Sequence, residues 1–354
     1  MVKRMPGLDL LRALLILEGV FYHSSIVMSP IDWYYNSPKH ASYSISMFFQ
    51  VFHFFRMESF FFLAGFFASL VIQRKGVSHY LHDRKKRLLL PFAILIFLVA
   101  IPQGYIASLI NNDSGFRLNI AHLWFLQILI MLILLHVAFL KINSSVKFKI
   151  LIPVIVFSIF AWAPTDYISN FLPDYNFIFY SASKLIQFTP FYILGCYAFF
   201  NREDILGFVS KRKFVLFIIS LMLSSILLYT VSLNWSGEWA TYSKLYVYPF
   251  KLVIQPLIMF FNAMAITLLL FYFFIKIDKV NNFINLIVAS SLVIYILHHP
   301  VVIVSSYFID KTQLVMSDFS YFSLISFLSF AIPLFTYLLF KGNYFFKISF
   351  GMNK

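Results

Sequence analysis

Residues 8 to 23 read Leu8-Asp9-Leu10-Leu11-Arg12-Ala13-Leu14-Leu15-Ile16-Leu17-Glu18-Gly19-Val20-Phe21-Tyr22-His23. This run is long and apolar enough to form most of a transmembrane helix. At about 100° per residue, Arg12 and His23 lie within roughly 20° of each other around the helix and about 16 Å apart along it. An arginine inside a span costs on the order of 2.5–3.5 kcal/mol, so such residues usually mark a functional path. Alternatively, Arg12 extends to a lipid headgroup and His23 caps the helix at the interface, and this stretch alone leaves both interpretations open.

The composition predicts an all-α, polytopic integral membrane helix bundle. Hydrophobic residues make up 61% and charged residues 12% of the 354 residues, against roughly 25% charged residues in an average soluble domain. Apolar runs near the ~20 residues needed to cross a bilayer recur along the chain. The first run is too long for the apolar part of a cleavable signal peptide, so we expect it to remain as a span. We place about ten spans at residues 8–28, 48–73, 88–109, 122–140, 150–163, 185–200, 214–232, 250–274, 284–308 and 321–340.

The net charge of +14 is distributed as a topology signal. Most of the 28 Lys and Arg residues fall at the two ends of the chain and in the loops on the same side of the membrane. The positive-inside rule assigns that side to the cytoplasm, so we expect both termini there. The positive charge therefore reflects the orientation of the protein in the lipid bilayer, and we expect no nucleic-acid partner. No linker or soluble segment separates the spans, which predicts one membrane domain over residues 1–354.

This topology places imidazoles from four spans at a similar depth, in the outer half of the bilayer. They are His23, His53, His122, and the pair His298 and His299. Histidine can act as a general base near neutral pH. His53 and Arg56 are spaced i,i+3, which predicts a shared helix face, with Glu58 as a counter-ion or facing another helix. Three structural interpretations stay open: His122 and His299 as interfacial caps, and His53 as a hydrogen-bonded bundle residue.

The chain offers a weak pattern for a metal and a dense basic segment. No His-x-x-x-His pair occurs, and no carboxylate adjoins the histidines of the outer half in sequence, so we expect no metal site. The segment His79-Tyr80-Leu81-His82-Asp83-Arg84-Lys85-Lys86-Arg87 leads into the third span. It is either a topology signal or a phosphate cradle, because arginine presents a planar fork that suits phosphate oxygens. Arg84 and Arg87 are the pair that would share a face.

The ordered set of these motifs resembles the membrane-bound acyltransferase-three family. The carrying residues are Arg12 to His23, Phe60-Phe61-Phe62-Leu63-Ala64-Gly65-Phe66, Arg84-x-x-Arg87 followed by Pro91, His122-Leu123-Trp124-Phe125-Leu126, and Tyr295-x-x-His298. The chain is most similar to the branch that contains the succinyltransferase of osmoregulated periplasmic glucans, through Trp33-x-x-Asn36-Ser37, His53-x-x-Arg56-Met57 and His298-His299-Pro300. The resemblance is specific in residues 8–130 and 290–301. Ala64 stands where the family usually has serine, so that hydroxyl is missing here.

The resemblance implies a membrane O-acyltransferase of the bacterial inner membrane that moves an acetyl or succinyl group from cytoplasmic acyl-CoA to a glycan hydroxyl. It implies acyl-CoA as the donor substrate, no permanently bound cofactor, a periplasmic or surface glycan as acceptor, and periplasmic glycan-synthesis proteins as partners. On this interpretation Arg12, Arg84 and Arg87 hold the donor phosphates. His23 is the general base, with Arg56 and His298 completing the catalytic group.

Support or acceptor contacts are expected from five further residues, His53, Glu58, His122, Trp124 and His299. Direct transfer and an acyl-His23 intermediate both remain open. Two other classes of function fit the composition. One is a transporter or flippase for an envelope carbohydrate precursor, which would use the buried charges as a substrate path. The other is a structural subunit of an envelope-assembly complex.

Overall fold

The regular structure of this protein is helical wherever it can be described. The structure, a computed structural model, describes residues 5–111, 120–140, 144–169, 176–312 and 314–352, and these ranges contain no β-strand. The helices are α1 Pro6–Ile26, α2 Tyr43–His53, α3 Arg56–Arg84, α4 Leu90–Leu95, α5 Ile101–Ile110, α6 Trp124–Leu140, α7 Ser144–Ser169, α8 Asn176–Phe200, α9 Arg202–Trp235, α10 Lys244–Pro249, α11 Gln255–Phe274, α12 Asn282–Lys311, α13 Asp318–Phe340 and α14 Tyr344–Ser349. The predicted all-α class is confirmed for this part of the chain.

Five helical runs are long and apolar enough to cross a membrane, as a membrane helix bundle requires. Within the described ranges they are Tyr43–Ile110, Arg202–Trp235, Tyr246–Phe274, Asn282–Lys311 and Asp318–Phe340. The first run is not one straight helix, because Gly76 has a φ of 80° and interrupts α3. A left-handed backbone of this kind favours glycine. The total number of spans and the side on which the chain ends lie stay predictions.

The helix at the predicted fifth span is longer than that span. The predicted span covers residues 150–163, whereas α7 runs from Ser144 to Ser169 and contains Pro153 and Pro164 in its interior. Helix-breaking residues are tolerated in membrane helices because neighbouring helices and hydroxyl side chains satisfy the freed backbone groups. Proline was therefore a poor boundary marker at this position.

The chain forms two compact units, each assembled from separate segments. The first unit comprises Met1–Leu8, Phe54–Tyr80 and Gln127–Asp278, and the second comprises Asp9–His53, Leu81–Leu126 and Lys279–Lys354. In the first unit α7 packs on α8, and α9 packs on α11. In the second unit α12 packs on α13. The predicted single domain over the whole chain stays a prediction.

The phenylalanine-rich motif forms a close helix contact in the first unit. A Cβ atom on Gly65 of α3 would overlap the backbone carbonyl of Tyr192 in α8, and one on Gly195 of α8 would overlap that of Phe62. Small residues allow two membrane helices to approach at backbone distance. Phe61 stacks on Phe188 beside this crossing, with 4.6 Å between ring centroids. The motif Phe60–Phe66 is thus a packing element.

In the second unit, the loop of residues 27–42 lies against α12 and α13. The hydrophobic core between them contains Val27, Met28 and Tyr35 from the loop. These residues pack with Val302, Ile303, Tyr321, Phe322 and Ile325 from the two helices. The loop also makes polar contacts with the same helices: Tyr35 donates to Asp310 Oδ2 at 2.8 Å, and Lys39 donates to the Thr312 carbonyl at 2.9 Å. These contacts hold the loop beside the C-terminal end of α12.

Candidate active site

The loop after α1 is shaped by one asparagine. The Asn36 amide donates to the carbonyls of Ser29 (3.1 Å) and Ile31 (2.8 Å), and its side-chain oxygen accepts from the Trp33 backbone N–H at 3.0 Å. Asparagine supplies both donors and an acceptor, so it can replace a turn of backbone hydrogen bonds. The motif Trp33-x-x-Asn36 therefore fixes the backbone that carries the Trp33 ring.

The Trp33 ring joins a cluster of imidazoles from three segments of the second unit. Trp33 stacks on His23, with centroids 5.7 Å apart, and meets the edge of His299 at 4.7 Å. His23 also meets His299 at 4.7 Å. His299 in turn stacks on His122, with centroids 4.5 Å apart and an interplanar angle of 16°. We call His23, His122, His298, His299 and Trp33 the histidine cluster.

Hydrogen bonds fix the protonation pattern of His23. His298 Nδ1 lies 3.1 Å from the Ile294 carbonyl, which can only accept, so this nitrogen carries a proton. In neutral His298, Nε2 is then an acceptor, and it lies 2.9 Å from His23 Nδ1. His23 Nδ1 must therefore donate, and Nε2 of a neutral His23 carries the lone pair. This arrangement orients one imidazole through another, as base-orienting groups do in enzymes.

A proline explains why His122 belongs to the cluster. Pro300 has no N–H, so it cannot bond to the carbonyl of Ile296, four residues earlier in α12. His122 Nε2 donates to that carbonyl at 2.8 Å. In the opposite direction, the Tyr295 hydroxyl donates to the His122 carbonyl at 2.7 Å. The two reciprocal bonds connect the turn before α6 to α12 and satisfy a carbonyl that the proline leaves open.

Both His122 and His299 are buried, with 4% and 3% exposure. Their Nδ1 atoms have no hydrogen-bond partner among the residues that the structure describes. Both imidazoles are therefore enclosed by the protein, while their depth in the membrane stays a prediction. Because His122 Nε2 carries its proton, His122 Nδ1 is an acceptor that a hydroxyl group could satisfy. Trp124 begins α6 directly after this turn.

Tyr34 packs beside His299 at the edge of the histidine cluster. Their rings meet edge to face, with centroids 5.2 Å apart. Burial raises the pKa of Tyr34 to about 12, so its hydroxyl stays protonated at neutral pH. Tyr34 can therefore serve as a neutral donor at the rim of the cluster.

The predicted shared face of His53 and Arg56 is wrong. The helix is interrupted at residues 54–55, so His53 ends α2 and Arg56 begins α3. Phe54 and Phe55 are both buried at this break. His53 is exposed and stacks on Tyr22 at 4.5 Å in the second unit.

Arg56 and Glu58 both belong to the first unit and are both buried, with 6% and 4% exposure. Glu58 Oε1 accepts from the Gln187 amide at 3.0 Å, while its Oε2 has no partner among the described residues. Glu58 and Gln187 line a small cavity of about 10 Å³, together with Trp162 and mostly apolar side chains, which is room for about one water molecule. A buried carboxylate oxygen without a partner is costly, and it is a feature of a polar ligand or water site.

The predicted phosphate-binding residues carry local partners. Asp83 contacts both arginines of the basic segment: its oxygens lie 2.9 Å from Arg84 Nη2 and 2.6 Å from Arg87 Nε. Arg12 lies 3.8 Å from Asp9. The side chains of Arg84 and Arg87 are 33% and 42% exposed, so a ligand can reach them. Within residues 83–87 the single acid leaves a net positive charge.

The arrangement of possible metal ligands can be stated for the part of the chain that the structure describes. Among the described residues no group of three or more His, Cys, Asp or Glu side chains is arranged to hold a metal ion. The four clustered imidazoles contact one another through ring faces and edges and through the His23–His298 bond. That geometry suits proton handling.

Sequence reasoning assigned no role to three residues that shape this site. Trp33 and Asn36 belonged to a family motif whose purpose was unknown, and their spacing within a polar outer loop was the available signal. Asp83 lies four residues before Arg87, a helical spacing that predicts an ion pair. Its effect on the phosphate cradle was therefore readable from the sequence.

Comparisons with known proteins show which family the sequence matches. A family model described as "Acyltransferase domain" matches residues 5–338. The curated "Glucans biosynthesis protein C" of Salmonella typhi is 30% identical over 140 residues, which cover 35% of this chain and 36% of the relative. The protein of the same name from Escherichia coli strain K12 is 28% identical over 227 residues, which cover 54% of this chain and 57% of the relative. The matches thus span about a third to just over half of these curated relatives, and no solved structure matches the chain.

Proposed function

This chain belongs to the acyltransferase-domain family whose model matches residues 5–338, and from that premise we propose that it is a membrane O-acyltransferase. The donor is acyl-CoA, carrying acetyl or succinyl, and the acceptor is a hydroxyl of a periplasmic or surface glycan. In this proposal the protein crosses the bacterial inner membrane about ten times. Both termini and the basic segment face the cytoplasm, and the histidine cluster lies towards the periplasm.

The observation that carries the proposal is the hydrogen-bonded pair of His23 and His298. His23 Nε2 takes the proton of the acceptor hydroxyl, and the oxygen attacks the thioester carbonyl carbon. The new C–O bond forms as the C–S bond breaks, and the coenzyme A thiolate receives the proton from His23. His298 orients the ring and shares the positive charge while His23 is protonated, as a positioned third group does in catalytic triads.

The remaining predicted residues fall into three roles. Arg84, Arg87 and Arg12 bind the phosphates of the donor by charge-assisted hydrogen bonds. His122, His299 and Trp124 support the cluster, and the open Nδ1 of His122 accepts from a hydroxyl of the acceptor. Arg56 is proposed to stabilise the oxyanion, with His53 and Glu58 as acceptor or support residues.

An acyl-enzyme route uses the same atoms in a different order. The lone pair of His23 Nε2 attacks the thioester, the acyl group forms a C–N bond to the ring, and coenzyme A leaves before the acceptor reacts. This route predicts release of one equivalent of free thiol without acceptor. Direct transfer predicts thiol release only when the glycan is present.

The test uses the purified full chain in lipid nanodiscs. Acetyl-CoA and succinyl-CoA are supplied separately with a periplasmic glucan fraction, free thiol is followed with a chromogenic disulfide, and the glycan mass is measured. We expect thiol release coupled to a mass gain of one acyl group, and a loss of about a thousandfold for His23→Ala. The matched control is His136→Ala, a histidine of α6 that lies outside the cluster and outside the basic segment. Equal transfer by His23→Ala at equal protein level would refute the mechanism.

The transporter alternative makes the opposite prediction. A flippase would move its carbohydrate precursor without binding coenzyme A or releasing thiol. A structural subunit would do neither, and Arg84→Ala and Arg87→Ala would then act only through topology. Coenzyme A binding by the purified protein therefore separates the enzyme from both alternatives.

A further inference from the structure

The last helix that the structure describes ends in a fully formed backbone cap. After α14, the Gly351 N–H donates to the Ile348 carbonyl at 3.2 Å and the Met352 N–H donates to the Lys347 carbonyl at 2.9 Å. Gly351 has a φ of 60°. These two bonds, with glycine in the left-handed conformation, define the Schellman motif. The segment therefore has its own local order, although it follows the part of the chain that the family model matches.

This cap packs on the backbone of the basic segment. A Cβ atom on Gly351 would overlap the Arg87 carbonyl oxygen, so the backbones of these two segments are in direct contact. α14 also packs against α4, the helix that follows the basic segment. Ser349 and Phe350 are buried, with 2% and 6% exposure. Both elements belong to the second unit, so α14 has a defined place next to Arg87.

Docking of α14 adds a cation to the predicted phosphate cradle. Lys347 lies in the last turn of α14 and is half-buried, whereas Lys341 before α14 is exposed. We propose that Lys347, held in place by the Gly351 contact with Arg87, joins Arg84 and Arg87 in one site for phosphate groups. An ammonium on a flexible stem complements the two guanidinium forks as a point charge.

The chemistry of the site selects a ligand that carries several phosphate groups. Lys347, Arg84 and Arg87, with Lys85 and Lys86 nearby, outnumber the one acid, Asp83. Two sources share this chemistry: the nucleotide part of a coenzyme A donor and the headgroups of anionic lipids. The inference rests on the proposed function for the first source only, and the binding experiment below needs no acyl transfer.

The experiment measures binding by the full chain in nanodiscs of zwitterionic lipid. Coenzyme A is titrated by calorimetry, and co-purification with anionic phospholipid is measured separately. We expect Lys347→Ala to weaken coenzyme A binding about tenfold, the value of one charge-assisted hydrogen bond. Lys341→Ala, an exposed lysine close by in sequence, should leave it unchanged.

A backbone variant tests the docking itself. Gly351→Ala places a methyl group against the Arg87 carbonyl and strains a left-handed backbone, so we expect it to weaken coenzyme A binding as Lys347→Ala does. Gly342→Ala is the matched control, because nothing lies within 4 Å of its added Cβ. Thermal unfolding in parallel shows whether Gly351→Ala merely unfolds the protein, in which case Lys347→Ala decides alone.

Each outcome has one meaning. Weaker coenzyme A binding by Lys347→Ala supports the site with a nucleotide ligand. Unchanged coenzyme A binding with reduced anionic lipid supports the same site with a lipid headgroup. If Lys347→Ala changes neither quantity, the inference is wrong. If the wild type binds coenzyme A and Lys347→Ala binds it equally, the proposed donor stands while Lys347 is excluded from its site. Absence of coenzyme A binding by the wild type would instead refute the proposed donor.

Discussion

The phenylalanine-rich motif of the first unit and the histidine cluster of the second unit are the two most distinctive patterns of this chain, and they do different work. Phe60–Phe66 surrounds a crossing at which Gly65 and Gly195 meet the opposite backbone. The histidine cluster instead carries ring nitrogens that bond to each other, to backbone carbonyls, or to nothing described. A distinctive motif therefore indicates that the structure constrains its residues. The atoms that the motif presents show whether the constraint serves catalysis or packing. Substitutions in the first motif should alter folding, and those in the second should alter activity.

The largest effect on activity among cluster residues other than His23 should come from His298. His298→Phe keeps the ring shape but removes the acceptor for His23 Nδ1, so the base loses its orientation and its charge-sharing partner. We expect acyl transfer to fall about a hundredfold, below the loss seen when a catalytic triad carboxylate is changed. The measurement is kcat/KM for thiol release with saturating donor.

A conservative variant separates positioning from packing. His298→Gln offers a carbonyl oxygen that can accept from His23, so it should recover much of the lost rate and shift the pH profile of kcat. If Phe and Gln variants are equally impaired at equal protein level, the His23–His298 bond has no catalytic role. Coenzyme A binding should be unchanged in both variants, because neither changes a proposed phosphate-binding residue.

Gly65→Ala should give the largest effect on folding. The added methyl group overlaps the Tyr192 carbonyl, and overpacking of a close contact costs about 1–3 kcal/mol. We expect a lower thermal unfolding midpoint and lower yield, with no selective loss of donor binding. Gly207→Ala in α9 is the matched control, because its Cβ meets nothing within 4 Å and alanine favours helix. A stable Gly65→Ala protein would contradict the packing role.

These two regions also show how far the sequence could be used. Apolar runs predicted the all-α class, and local spacing predicted that Arg12 and His23 share one helix face about 16 Å apart; α1 contains both residues. The partners across the chain could not be read: His122 meets Ile296 and His23 meets His298 only because three distant segments pack together. The helix break at residues 54–55 was missed because two adjacent buried phenylalanines look like any apolar run. Sequence thus identified the chemical groups, and tertiary packing decided which of them meet.

A smaller effect, on protein stability, is expected from the coupling of His122 with Pro300. His122→Phe leaves the Ile296 carbonyl buried without a donor, which costs about 1–3 kcal/mol. In a Pro300→Ala background, the new N–H of residue 300 can bond to that carbonyl, so His122→Phe should cost much less there. Thermal or denaturant unfolding of the four proteins measures this coupling by a double-mutant cycle. Additive effects would mean that the proline does not explain the histidine.

The smallest expected effect concerns the loop that carries Trp33. Tyr35→Phe removes the hydrogen bond to Asp310, but the Tyr321 hydroxyl still donates to the same carboxylate oxygen at 3.1 Å. We therefore expect a loss of about 1 kcal/mol or less in stability.

Because Tyr35 lies two residues from Trp33, the loosened loop should raise KM for the glycan acceptor two- to threefold, on the order of half a kcal/mol, while kcat and coenzyme A binding stay constant. Tyr307→Phe, whose ring meets Tyr35 edge to face at 5.9 Å, is the control, since it keeps the bond to Asp310. An equal change in donor and acceptor KM would place the loop outside the acceptor side of the site.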